Sequence, residues 1–193
     1  MSVRTIRTGG LAGVLAAGLF VIAAILDTVA PIDVVYDSST EVLYLSASSL
    51  AFLAVVVTVT GMRALLARTG RQTRLATVGA WLVIAGYGMA ALLNGVSLAL
   101  GERSFVTVRL AFAVLMLIGS VILGVVVLRS RVLPWWCGIL LIIAFPLGHF
   151  TNSLFASAEN VLMALLWGSV GAGLLASTTA SARVPAAESA RVG

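Results

Sequence analysis

The ionisable side chains of this sequence are few, and where they fall matters more than how many there are. The 193 residues hold seven acids, twelve arginines, no lysine, one histidine and one cysteine. Asp27, His149 and Glu159 are residue types that move protons, and each stands near the end of a long apolar stretch. A carboxylate facing an imidazole across about 3 Å, or through one water, makes an acid–base pair, so these three are the catalytic candidates. Asn94, Arg109, Tyr87 and Asn152 add neutral and cationic hydrogen-bonding groups in the same zones and are the ligand-binding candidates. Tyr87 and Asn94 lie seven residues apart, close to two helical turns, so they share a face. Tyr44, Ser46, Ser49 and Asn160 belong to the same polar zones.

Each of these residues also has a purely structural reading. Arg109, about one turn inside an apolar stretch, can carry its guanidinium to the headgroups or pair with Glu102 or Asp27. Glu159 suits the positive end of a helix dipole, with Ser157 as the N-cap. Asp33, Asp37 and Glu41 read as a solvated loop, because their spacing is not that of an EF-hand. A lone histidine at a helix end is ordinarily a hydrogen-bonded interface residue. One neighbour raises His149 above that: Pro146 removes a backbone hydrogen bond and frees the Ile142 carbonyl, predicting a kink or break just before Gly148. A helix broken at membrane depth lines a cavity.

The chain contains no HExxH, GxSxG or Walker loop and no paired-aspartate prenyl-diphosphate motif. A single histidine excludes a haem held by two, and the single Cys137 excludes a disulfide framework and multi-thiolate metal sites. No cofactor and no metal site is therefore expected.

The elements that must position these groups follow from composition. Hydrophobic residues make up 61% of the chain and charged residues 10%, with mean hydropathy +1.13. Soluble domains carry about 25% charged residues, so the solvent that fits this chain is a lipid bilayer. Six apolar stretches are long enough to cross about 30 Å of hydrocarbon, which takes roughly 20 helical residues. They lie at about 10–30, 42–62, 75–99, 106–128, 133–152 and 159–178. The expected fold is all-α: a polytopic bundle of six transmembrane helices forming one domain over residues 1–178, with a flexible tail at 179–193. Strands are excluded because the stretches lack period-2 alternation and backbone groups in lipid must be satisfied within the segment. The first stretch reads as a retained helix and not a secretory signal, since Pro31 follows its small-residue site Thr28-Val29-Ala30.

Arginine placement sets the orientation. Arg4, Arg7, Arg63, Arg68, Arg71, Arg74, Arg129, Arg131, Arg183 and Arg191 fall on one side of a six-helix arrangement, leaving Arg103 and Arg109 on the other. The positive-inside rule makes the side with ten cytoplasmic, so both termini are expected there. The absence of lysine beside heavy use of Ala, Val, Leu, Gly and Arg suggests a high-GC bacterial genome, and hence the plasma (inner) membrane of a bacterial cell. Acidic residues gather on the opposite side. The high pI, near 10.7, is thus a topology signal and not a nucleic-acid footprint.

Packing cues complete the expectation. Gly9, Gly13 and Ala17 are spaced as a GxxxG run, and Gly168 with Ala172, Ser169 with Gly173, Ser120 with Gly124, and Gly79, Gly86 and Gly88 add further small-residue faces. Such faces serve packing within the chain, with a homo-oligomer as the alternative. Trp135 and Trp136 follow Pro134 where a helix enters the bilayer and read as interface anchors.

The stretches TGMRALLARTGRQTRLATVGAWLVIAG at 60–86 and VVVLRSRVLPWWCGILLI at 125–142 resemble the cytoplasmic hairpins of a family of small six-helix integral membrane proteins of actinobacteria. The resemblance covers most of residues 10–178 and implies the same fold; the family brings no assigned catalytic residues. Three functions stay open. The first is a non-enzymatic protein that binds a membrane-protein partner or a lipophilic small molecule in an outward-facing polar cavity. The second is a membrane-embedded enzyme acting on a lipid or terpenoid, and the third a transporter or its subunit.

Overall fold

A computed structural model describes residues 2–29, 39–101, 106–151 and 157–189, leaving aside the side chains of 106–107, 149 and 180–189. Six helices account for nearly all of it: α1 (Val3–Val29), α2 (Ser39–Arg68), α3 (Arg74–Leu100), α4 (Val106–Ser130), α5 (Trp135–Thr151) and α6 (Ala158–Ser189). No strand occurs among the described residues. Five of the helices, α1 to α4 and α6, are long and apolar enough to cross a membrane. The sixth, α5, has 17 residues, about 25 Å at 1.5 Å per residue.

Several helices outrun their apolar stretches. α1 starts at Val3, α2 continues to Arg68, and the backbone of α6 stays helical to Ser189. Hydropathy marks where the hydrocarbon ends, whereas a helix continues as long as its residues favour it. The extension of α2, Arg63 to Arg68, consists of Arg, Ala and Leu, all good helix formers. Residues 179–189, read from sequence as tail, thus belong to α6. Pro146 does not break α5, which runs through it to Thr151; the proline removes one backbone donor without ending the helix.

The helices alternate in direction and close into a ring. Each packs on the next, α6 returns to α1, and α2 also touches α6. Close contacts between opposite helix halves show the alternation. A Cβ on Gly9 would stand 2.6 Å from the Gly61 Cα, and one on Gly13 would stand 2.8 Å from the Gly171 Cα. The α1–α2 and α1–α6 backbones therefore touch directly, as small residues allow in lipid. The run at Gly9 and Gly13 is spent inside the chain. Gly124 meets Gly138 across α4 and α5, and Gly148 meets Glu159 across α5 and α6.

The start of α1 and the far end of α6 accordingly share one end of the bundle with the arginine-rich turns. There α2 stops in a Schellman motif: Gly70 adopts φ 67°, its N–H reaches the Ala67 carbonyl, and the Arg71 N–H reaches the Leu66 carbonyl. Thr73 caps α3 through its side chain to the Ala76 N–H at 3.1 Å. Arg63 lies 4.9 Å from the Trp81 ring, a cation–π contact at the same level.

The core is small and apolar, with Ala16, Ala51, Val55, Val83, Leu123, Cys137, Leu141 and Trp167 fully enclosed. Cys137 is a buried thiol 3.7 Å from the Ser169 carbonyl. Large apolar side chains also cover the outside, among them Leu11, Leu15, Ile25, Leu50, Leu92 and Leu165. An exterior of this kind is what a bilayer solvates.

Candidate functional site: a polar cavity at the helix ends

At the end of the bundle away from the arginine turns, the last turns of α1, α3 and α5 meet the first turns of α2, α4 and α6. Between them lies a cavity of about 400 Å³. All six helices line it: Phe20 and Asp27 from α1, Tyr44, Ser48 and Phe52 from α2, Tyr87 and Asn94 from α3, Arg109 and Met116 from α4, Phe145 from α5, and Glu159, Asn160 and Met163 from α6.

The polar wall is built from hydrogen bonds between helices. The Arg109 guanidinium donates to the Asn94 Oδ1 at 2.7 Å, the Ser97 Oγ at 2.7 Å and the Leu93 carbonyl at 3.3 Å. All three acceptors belong to the last two turns of α3, at the negative end of its dipole. A lone arginine at the bilayer centre costs about 2.5–3.5 kcal/mol on insertion scales. Charge-assisted hydrogen bonds at about 1.5–3 kcal/mol each offset that. Asn94 is 3% exposed and Ser97 0%, so both acceptors are shielded from water where they meet the guanidinium.

Asp27 is held from the other side of the ring. The Ser157 hydroxyl donates to the Asp27 Oδ2 at 2.9 Å and stands 3.1 Å from the Thr28 hydroxyl. Ser157, expected as the N-cap of α6, instead turns its side chain to the carboxylate while its backbone takes φ 69°. Such a φ is sparsely populated for a non-glycine residue and persists where surrounding contacts over-determine it. The bond to Asp27 is such a contact, and it ties the end of α1 to the start of α6.

Glu159 stands in the first turn of α6, where the dipole favours a carboxylate, with Gly148 of α5 against its backbone. The Tyr44 hydroxyl lies beside Asn160 and within electrostatic reach of both Asp27 and Glu159. Ser48, 4% exposed, is near Tyr44 but its Oγ meets no hydrogen-bond partner among the described residues. Glu41, read from sequence as a solvated loop residue, is instead buried at 3% exposure in the first turn of α2. The dipole of a helix N-terminus favours a carboxylate there.

Below the polar wall the cavity is closed by aromatic and thioether groups. Phe20, Phe52, Tyr87 and Trp167 form a chain of edge or tilted ring contacts, with centroids 5.9, 5.4 and 5.7 Å apart. The Tyr87 hydroxyl donates to the Met163 Sδ at 3.4 Å. Tyr87 is thus part of the floor and Asn94, seven residues on, part of the wall. The cavity is amphipathic along the bundle axis.

Of the candidates read from sequence, Asp27, Glu159, Asn94, Arg109 and Tyr87 line this one space. His149 falls in the last turn of α5 by its backbone, and its side chain is outside the described residues. Asn152 lies outside the described residues altogether. Ser46 and Ser49 bond back to carbonyls of their own helix, Val42 and Leu45. Sequence reasoning missed Ser48 and, Tyr87 apart, the floor. The signal was a face spacing: Tyr44, Ser48 and Phe52 recur every four residues, and Phe20 with Asp27, and Met116 with Arg109, every seven.

Comparison with protein-family models, curated proteins and solved structures finds no match to this chain. The cavity is therefore read from its own chemistry.

Proposed function

We propose that this integral membrane protein binds a lipophilic small molecule with a polar head in the cavity between its helix ends. The observation that carries the proposal is the cavity's two-part lining. The aromatic and methionine floor takes an apolar body, and Asp27, Tyr44, Asn94, Arg109, Glu159 and Asn160 take the head. Ligand pockets are of about 300–1,000 Å³, and a space of about 400 Å³ is within that range, with a lining more polar than apolar that suits the head of such a molecule more than its body. In this reading the arginine-rich end faces the cytoplasm of a bacterial cell and the cavity opens on the other side of the plasma membrane, in keeping with the resemblance to actinobacterial membrane proteins.

The test is retention. Full-length protein purified in mild detergent is extracted with organic solvent and the extract analysed by mass spectrometry. A molecule that remains with the wild type and is lost in Ser48→Phe, a variant that fills the cavity, supports the reading. An extract without any such molecule, or equal retention by a well-folded Ser48→Phe, overturns it.

A second reading draws on Asp27 and Glu159 sharing the cavity beside Tyr44. Two carboxylates on one wall serve an acid–base step on a lipid or terpenoid, with His149 as a further candidate. Chemical change of the retained molecule over time by the wild type, absent in Asp27→Asn, would favour this reading over binding alone.

A further inference from the structure

A second cleft, independent of the first, lies at the arginine-rich end between α3 and α4. It has a volume of about 480 Å³, and its lining is chiefly apolar, with Leu75 from α3 and Val121, Ile122 and Val125 from α4. Its rim is cationic and hydroxylic: Arg71 and Thr73 come from the turn before α3, and Arg129 and Ser130 from the end of α4. Nothing in the functional reading above uses these residues.

We propose that this cleft is a binding site for an anionic phospholipid. The argument is one of complementarity in two parts. The rim sets two guanidiniums around one opening, and the planar guanidinium matches the oxygens of a phosphate group. The Schellman turn at Gly70 fixes the backbone of Arg71, and the last turn of α4 that of Arg129, while both side chains are exposed. The chain supplies few competing anions nearby: no acidic residue occurs in 42–101 or in 103–158, the segments that build both walls. Basic pockets between transmembrane helices at the cytoplasmic surface are where anionic headgroups bind.

The second part is the floor. From Arg129 back to Val121 the cleft follows α4 for about 12 Å, at 1.5 Å per residue. Along this path the surface is aliphatic: Val121, Ile122 and Val125 of α4 are half-buried, Val126 is buried, and Leu75 of α3 at the edge of the cleft is 56% exposed. Free phosphate would use the rim and leave the floor empty. A phospholipid uses both, its headgroup between the arginines and one acyl chain along α4.

The experiment is native mass spectrometry of the full chain in detergent micelles, titrated with phosphatidylglycerol or phosphatidylcholine of the same acyl chains. The wild type is expected to retain phosphatidylglycerol in preference by on the order of tenfold, from two arginines at the membrane surface. The Arg71→Gln/Arg129→Gln variant should fall to the phosphatidylcholine level. Arg4→Gln/Arg7→Gln, which removes equal charge at the same end of the bundle, should keep the preference. Val125→Trp fills the floor while leaving both arginines, and should lose it; this variant decides the matter where the double substitution fails to fold. Equal retention of the two lipids by the wild type, equal loss in the Arg4/Arg7 variant, or full retention by Val125→Trp would each overturn the proposal. Displacement of phosphatidylglycerol by equimolar inorganic phosphate would reassign the cleft to a free anion and overturn it as well.

Discussion

Arg109 carries a full charge near the start of an apolar helix, and its stability depends on acceptors prepared by a different helix. Asn94 is the central one, buried and 2.7 Å from the guanidinium. Replacing it with alanine should lower the unfolding free energy in detergent by about 1.5–3 kcal/mol, the worth of a hydrogen bond to a charged group. Asn94→Asp, which keeps an oxygen at the same place and adds a countercharge, should recover most of that loss. Thermal unfolding of the three proteins, followed by circular dichroism, checks both outcomes. Ser157→Ala should also destabilise, by about 1–3 kcal/mol, because it leaves the Asp27 carboxylate short of a donor. At this scale the sequence was partly legible. The residue types and their clustering toward one end were visible, but not the partners: Arg109 bonds Asn94 and Ser97, and Ser157 bonds Asp27 instead of capping its own helix.

At the scale of the helix, the glycines separate into two kinds that the sequence does not distinguish. Gly61 meets the Gly9 backbone, with 2.7 Å from an added Cβ to the Gly9 Cα, whereas Gly18 has nothing within 4 Å. Gly61→Leu should force α1 and α2 apart and lower stability by about 1–3 kcal/mol or more, as overpacking does. Gly18→Leu should be neutral or stabilising by up to about 1 kcal/mol, because glycine is the poorer helix former. Unfolding midpoints of the two variants in the same detergent test the contrast; a Gly61→Leu protein as stable as the wild type would contradict the close packing. The helices themselves were legible from hydropathy to within a few residues at most ends. The extensions of α1, α2 and α6 were not, because an amphiphilic solvent bounds apolar stretches without bounding helices. The unbroken course of α5 through Pro146 has a similar origin: one missing donor does not outweigh the bonds on either side of it.

For the whole molecule, the alternation of six helices puts the start of α1 and the end of α6 at one end, with the arginine turns. Placing that end in the cytoplasm predicts a labelling pattern. In a Cys137→Ala background, Ser181→Cys should resist an impermeant thiol reagent in intact cells and react after permeabilisation. Ser39→Cys, at the opposite end and exposed at the start of α2, should react in intact cells. Labelling of Ser181→Cys from outside would reverse the orientation and with it the side on which the cavity opens.

What the sequence determined by itself was solvent and element. With 10% charged residues no aqueous fold can be covered, and long apolar stretches in lipid can only be helices; which end of the bundle faces the cytoplasm is what the arginine placement predicts and the labelling tests. These are properties of composition and of local runs, and they need no knowledge of which helix touches which. The tertiary structure decided what depends on contacts between distant segments. It closed the ring through Gly13 and Gly171, gathered Asp27, Asn94, Arg109 and Glu159 around one cavity, and laid an aromatic floor beneath them. It also set Arg71 and Arg129 on one rim, although 58 residues separate them in the chain. The physical reason is that helical periodicity tells which residues share a face, while the rotation of each helix about its axis is settled only when backbones meet at the small residues. That rotation determines which faces line a cavity and which are left to the lipid.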